Sequence, residues 1–287
     1  MLSIINSSLK PGTLSFILVK KGNILRLEVV ILTKKIGLAL SAGSARGLAH
    51  IGVLKTLIDN NIPIDCIAGT SMGSMVGGLY AAGIPIDIIE GLSLNLTQKK
   101  WVDIGVPRKG FIRGDKVLQI LRMLTKDSAI ENTKIPFGCV ATELNTGERI
   151  VYKQGNLAEA IRASISIPGV FTPYEYEGKT LVDGALVDRL PVSLCRALGA
   201  DCVISVDVST HVSNASITNI FDVIVQSMNI MQAEMLKERR EDSDILIRPD
   251  VQSITPNQFQ KAEEAIEAGK EACQEVLPAL KQVVEEC

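Results

Sequence analysis

The sequence predicts an α/β fold, with a mainly parallel central sheet and helices on both faces in a three-layer arrangement. Three observations carry this. The runs Ile36–Ser41 (IGLALS), Ile64–Ala68 (IDCIA) and Cys202–Val208 (CVISVDV) are short and almost continuously apolar, as strands covered on both faces are. Between the first two, Leu48, Ile51, Leu54, Leu57 and Ile58 recur at helical spacing, so strand, helix and strand form a βαβ unit with a right-handed crossover. The chain has 287 residues, 46% of them hydrophobic, which is enough for one large core, and no internal repeat or linker divides it.

Composition narrows the function classes. A net charge of −2, from 30 basic and 32 acidic residues, gives no nucleic-acid footprint. The six cysteines (Cys66, Cys139, Cys195, Cys202, Cys273 and Cys287) form no C-x-x-C pair and several sit in apolar runs. Reduced thiols in a cytoplasmic protein are expected, rather than a disulfide framework or a zinc site. No apolar run approaches the ~20 residues of a membrane span, and the N-terminus lacks a secretory pattern. Any membrane contact is therefore expected to be peripheral, on the inner membrane face.

Taken in order, residues 1–33 read as an N-terminal extension. Two strand-like runs, from Leu14 and from Ile24, flank a turn at Lys20–Asn23 and predict a β-hairpin. After the Ile36 strand comes Ala42-Gly43-Ser44-Ala45-Arg46-Gly47, whose backbone amides, together with the following helix start, make a natural anion site. One reading is a dinucleotide fingerprint, but Gly43 and Gly47 are the only candidates for its second and third glycines and no acid ends the next strand. The other is an oxyanion-stabilising loop beside a nucleophile, and it fits better.

The Ile64 strand runs into Gly69-Thr70-Ser71-Met72-Gly73, a G-x-S-x-G pentapeptide followed by small apolar residues of helical character. Strand, tight turn and helix form the context in which a serine hydroxyl is held out at the end of a sheet. Further along, Ile84–Trp101 reads as helical with a break at Pro85. A Gly/Pro-rich loop spans Gly105–Gly114, and Asp115 is expected to cap a helix to about Leu124. Ile135–Leu144 and Arg149–Tyr152 pair about a turn, and Asn156 caps a helix to about Ser164. Ser164–Pro173 is an irregular apolar segment, either an acyl-pocket lining or a buried connector. Tyr174–Leu181 turns back at Glu177–Lys179 and leads into Asp183-Gly184-Ala185, and Pro191 starts a helix.

Beyond the Cys202 strand, Ile217, Ile220, Phe221, Ile224, Met228, Met231 and Met235 form one stripe at helical spacing. The stripe predicts a long helix packed on the core; a lid, a lipid-facing surface or a homo-oligomer contact are the other readings. Ile245–Pro249 is a last strand. Thr255-Pro256 predicts a helix start, and a second terminal helix is expected to be interrupted at Pro278.

A serine needs a base. The chain has two histidines, His50 and His211. His50 lies in the first helix, facing away from the loop ends, as a satisfied structural residue. His211, after the Cys202 strand, completes a Ser71–Asp183–His211 order of the α/β-hydrolase kind. Alternatively Asp183, followed by small residues that permit close approach, takes the Ser71 proton directly. A non-catalytic nucleotide- or anion-binding module is the reading outside enzymes.

Over about Lys35–Val208 the chain resembles the patatin-like phospholipases, particularly their compact bacterial members. The matching parts, in order, are Ser41–Gly47, Gly69–Gly73, Ala163–Pro168 with Phe171-Thr-Pro173, and Asp183-Gly184-Ala185 with Pro191. The resemblance implies a hydrolase domain over residues 34–287 that cleaves lipid or other acyl esters through a Ser–Asp dyad, without histidine, metal or cofactor. It implies Ser71 as nucleophile and Asp183 as general base. It also implies an oxyanion hole around Gly43, Ser44, Ala45 and Arg46, with Arg46 at the family's basic position. The family's loop has three consecutive glycines where this chain has Ala42-Gly43-Ser44, and alanine and serine fit positive φ poorly.

Overall fold

The computed structural model describes residues 14–21, 24–31, 34–95, 102–103, 110–210, 220–239 and 242–286. Its strands are β1 (Leu14–Lys21), β2 (Ile24–Ile31), β3 (Ile36–Leu40), β4 (Cys66–Thr70), β5 (Gly110–Ile112), β6 (Phe137–Glu143), β7 (Arg149–Tyr152), β8 (Gly169–Phe171), β9 (Tyr174–Tyr176), β10 (Lys179–Asp183), β11 (Cys202–Val206) and β12 (Ile245–Ile247). The α-helices are α1 (Ala49–Asp59), α2 (Met72–Ala81), α3 (Ile86–Asn95), α4 (Asp115–Thr125), α5 (Leu157–Ser164), α6 (Val192–Ala197), α7 (Ile220–Arg239) and α8 (Ala262–Glu286).

Strand parity builds the layers. Leu38, Leu40, Ile67, Cys139 and Ala141 point into one large core with α1, α2, α5 and α8. Their neighbours Ala39, Cys66, Ala68, Val140 and Val203 point the other way, against Val192, Leu194 and Cys195 of α6. Both faces of these strands are therefore dry, which is why their sequences do not alternate. The sheet has eight strands among the described residues, ordered β12-β11-β3-β4-β6-β10-β9, with β7 also on β6. β12, β11, β3, β4 and β6 run parallel.

The register around β6 positions the site. β7 pairs with Cys139–Thr142, overlapping both β4, on Phe137–Val140, and β10, on Ala141–Glu143. A strand has two edges, so β4 and β10 must share the edge opposite β7. They approach along it from opposite ends. Thr70 closes β4 against Val140, and Asp183 closes β10 against Ala141, the next residue of β6.

Several expectations need correction. Asp115 does not cap α4. Gly114 occupies the cap position at φ 83°, and the carboxylate of Asp103 accepts from the amides of Gly114 (2.8 Å) and Asp115 (2.9 Å). Thr255-Pro256 does not begin a helix. A 3-10 turn at Phe259–Lys261 precedes α8, which continues through Pro278 as a single helix. Cys66, Cys139, Cys195 and Cys273 are free thiols, as expected, but Cys202 is disulfide-bonded. Within Ser164–Pro173, β8 pairs in parallel with β5. The predicted N-terminal strands pair antiparallel, from Leu14 opposite Ile31 to Lys21 opposite Ile24. The turn between them, His211, Ile217 and Trp101 lie outside the described residues. Among the described residues no helix is long and apolar enough to cross a membrane.

Candidate active site

Ser71 sits between β4 and α2 at φ 55°, ψ −122°. A non-glycine residue at such angles costs about 1–3 kcal/mol and persists only when its surroundings fix it. Here they do. Its amide donates to Ser164 Oγ (2.9 Å), and its carbonyl accepts from the amides of Ser74 (2.9 Å) and Met75 (3.1 Å) and from Ser74 Oγ (2.6 Å). The flanking glycines are required by close approach. A Cβ on Gly69 would lie 2.5 Å from the Gly73 carbonyl oxygen, and one on Gly73 would lie 2.3 Å from that of Leu40.

Asp183 is buried, and its Oδ1 accepts from the amide of Ala185 (2.9 Å). Burial pushes its carboxyl up to about 6. Hydrogen bonding from Ser71 and Ala185 and the positive charge of Arg189 act in the opposite sense. Gly184 must lack a side chain because a Cβ would stand 2.2 Å from the Val140 carbonyl oxygen.

The serine-rich segment between α5 and β8 fastens both partners, a role its sequence did not announce. Ser164 Oγ receives the Ser71 amide and donates to the Val140 carbonyl of β6 (2.7 Å). The Ser166 carbonyl accepts from the Asp183 amide (2.9 Å). Buried Arg162 anchors the segment, donating to Ser166 Oγ (2.6 Å) and to the Gly114 carbonyl (3.2 Å), with its guanidinium over the rings of Phe171 and Tyr174. The alternating S-I-S-I pattern is the available signal, because an apolar lining or connector alone does not call for two serines.

The four residues of the loop after β3 expected at the hole differ in how their amides are used. The Ala45 amide donates to the Pro256 carbonyl (3.2 Å) and the Arg46 amide to that of Gly43 (3.1 Å), so these two are engaged within the fold. The amides of Gly43 and Ser44 make no hydrogen bond among the described residues. Ser44 adopts φ 52° and is held there by its hydroxyl, which donates to the Pro256 carbonyl (2.6 Å). Arg46 Nε donates to the Ile254 carbonyl (2.6 Å), so its guanidinium is also a strut for the loop.

Two cavities meet at Ser71, with Ser44 and Ile167 also common to both. One, of about 70 Å3, is rimmed by Gly43, Arg46, Asp183, Arg189 and Gln232. The other, of about 160 Å3, is apolar, walled by Met72, Val76, Leu79, Leu121, Phe171 and their neighbours. His50 lines neither. Its Nε2 donates to the Ser41 carbonyl (2.8 Å), burial lowers its pKa to about 4, and Nδ1 has no hydrogen-bond partner among the described residues, which fits the structural role expected of it. Of the α7 stripe, the side chains of Ile224, Met228 and Met231 lie within the described residues. Ile224 and Met231 are exposed, whereas Met228 and Gln232 reach over the polar cavity.

Residues 38–196, more than half of the chain, match the family described as patatin-like phospholipase. The chain belongs to the patatin-like phospholipase family. Both Ser71 and Asp183 fall inside the matched patatin-like region. An uncharacterised NTE family protein of Mycobacterium tuberculosis is 40% identical over 178 residues, 61% of this chain and 49% of its own length. Lysophospholipase NTE1 of Saccharomyces cerevisiae is 33% identical over 196 residues, 66% of this chain and 12% of its own. The chain thus spans about half the length of the mycobacterial relative. The crystal structure of VipD from Legionella pneumophila shares the fold, with a TM-score of 0.59 over 95% of this chain and 71% of that one, at 16% identity.

Proposed function

We propose that this patatin-like chain is a serine acyl-ester hydrolase acting on phospholipid, lysophospholipid or related lipid esters through a Ser71–Asp183 dyad. The observation that carries the reading is the meeting of β4 and β10 on adjacent residues of β6, beside a cavity shared by both side chains. The fatty-acyl half of the ester lies in the apolar cavity and the alcohol half in the polar one.

Ser71 Oγ attacks the ester carbonyl as its proton passes to Asp183. The free amides of Gly43 and Ser44 stabilise the oxyanion. The tetrahedral adduct collapses, and the departing alcohol takes the proton from Asp183, leaving the acyl group on Ser71. Asp183 then accepts a proton from water, hydroxide attacks the acyl carbonyl, and Ser71 leaves with the proton as the fatty acid is released. A carboxyl poised near pH 6 is better matched to this exchange than an ordinary aspartate. Substrate reaches the site at a lipid surface, met peripherally through exposed Val223, Ile224, Ile230 and Met231 of α7.

The test is labelling by a fluorophosphonate probe, with peptide mapping to Ser71, and turnover of a lipid-ester panel by the wild type and Ser71→Ala. Labelling at another residue, or undiminished turnover by Ser71→Ala, would overturn the reading. Full activity in Asp183→Asn with loss in His211→Ala would replace the dyad with the triad.

A further inference from the structure

We propose that the apolar cavity limits acyl length, taking chains of about six to ten carbons and stopped by Leu79. This rests on the hydrolase reading and deepens it, because it names the acyl half of the substrate.

Met72, Met75, Val76 and Leu79 recur at intervals of three and four, so one face of α2 lines the cavity from the nucleophile onward. The opposite side of the helix carries Gly77 and Gly78. A Cβ on Gly77 would stand 2.8 Å from Ile67 Cγ2, and one on Gly78 would stand 2.8 Å from Ile161 Cδ1, so α2 lies hard against the core and leaves the cavity on its other side. Leu79 is the last residue of α2 on the cavity, and the helix ends at Ala81. The chain then turns, with the Gly83 amide donating to the Tyr80 carbonyl (2.8 Å) and the Ile84 amide to that of Leu79 (3.2 Å). It returns as α3, whose Ile89 and Leu92 line the same cavity. The turn therefore stands across the cavity's end, behind the buried side chain of Leu79.

Length and volume agree on the capacity. At about 1.5 Å per residue, α2 carries the wall roughly 12 Å from Ser71 to Leu79. An extended carbon chain advances about 1.2 Å per atom, so roughly ten carbons reach the stop, whereas sixteen need about 19 Å. The cavity is of about 160 Å3. A dry apolar cavity of about 150 Å3 takes a six-carbon benzene ring, which sets the lower figure.

The experiment uses the full chain and nitrophenyl esters of straight-chain acids of four to sixteen carbons, all in the same mixed micelles. Alkyl fluorophosphonates of matching length give a second readout at Ser71. Both kcat/KM and labelling rate are expected to peak at about eight carbons and to fall roughly tenfold or more by sixteen. Leu79→Ala removes the stop and is expected to move the peak about two carbons longer. Val76→Phe fills the cavity nearer the serine and is expected to cut the octanoate-to-butyrate ratio roughly tenfold. It also decides the matter should Leu79→Ala fail to fold. Wild-type rates that are as high at sixteen carbons as at eight, with Ser71 still labelled, overturn this proposal alone. A peak that stays in place in the folded variants does so too. Absence of labelling and of turnover on every ester overturns the hydrolase reading with it.

Discussion

The floor and the roof of the site are built on different terms. The floor is sheet. Ser71 and Asp183 are buried strand-end residues tied to β6, to each other's surroundings and to the Ser164–Ser166 segment by backbone and hydroxyl bonds. The roof is α7 and the Ile254–Pro256 turn, which meet the floor through fewer contacts, among them Gln232 on Arg189, and Ser44, Ala45 and Arg46 on the carbonyls of Pro256 and Ile254. Geometry that must be held to a fraction of an ångström rests on the many-bonded layer. Under the proposed function, discrimination between alcohol halves, which tolerates movement, falls to the sparsely bonded one.

If that division holds, substitutions in the floor abolish chemistry or folding, and those in the roof change selectivity. The largest effect is expected for Ser71→Ala, a loss of roughly 10,000-fold in kcat with no fall in melting temperature, read by ester turnover and calorimetry. Asp183→Asn is expected to lower kcat by about 1,000-fold and yet to stabilise the protein. The folded carboxyl titrates near 6 against an ordinary 3.8, so the buried carboxylate penalises the native state fully above about pH 6 and not at all below 3.8. The asparagine variant should gain up to about 3 kcal/mol at pH 7.5, shrinking towards zero as the pH approaches 4. In the wild type, kcat/KM should fall as the pH drops through about 6. A variant less stable at neutral pH would show that the carboxylate supports the fold.

Gly73→Ala should cost about 3 kcal/mol or more, because the added methyl meets the fixed Leu40 carbonyl; urea unfolding measures it. Ser44→Ala keeps the left-handed backbone but loses the bond to Pro256, and should cost about 1 kcal/mol with a few-fold loss of kcat. The mildest case is Met231→Gln on the outer face of α7. Stability should stay within about 0.5 kcal/mol while activity on vesicles falls relative to a soluble ester. Equal activity on both would remove α7 from the lipid-facing surface.

What the sequence made legible follows the same line. Ser71 and its two glycines sit in a five-residue window, and Asp183-Gly184-Ala185 in three, so local pattern found both. Their adjacency was not local. It depends on β10 meeting Ala141 from the far end of the sheet, and no spacing encodes an antiparallel register. The loop after β3 was half legible: its amides could be located, but that the Ala45 amide donates to the Pro256 carbonyl, more than two hundred residues away, could not. The stripe on α7 misled because periodicity reports an apolar face without saying what covers it. Ile224 and Met231 meet solvent where a core was expected, and the contact of Gln232 with Arg189, beside the aspartate motif, has no local signal.

Neither β4 nor β10 fixes how far the serine stands from the aspartate. Both are hung from β6, one ending at Val140 and the other at Ala141, so the separation is set by one link of a third strand. That strand acts as a ruler of about 3.4 Å per graduation. Loops leading into either partner can lengthen or drift without moving the mark. A single residue inserted between Val140 and Ala141 would part the pair by one graduation while leaving every residue named in the chemistry in place.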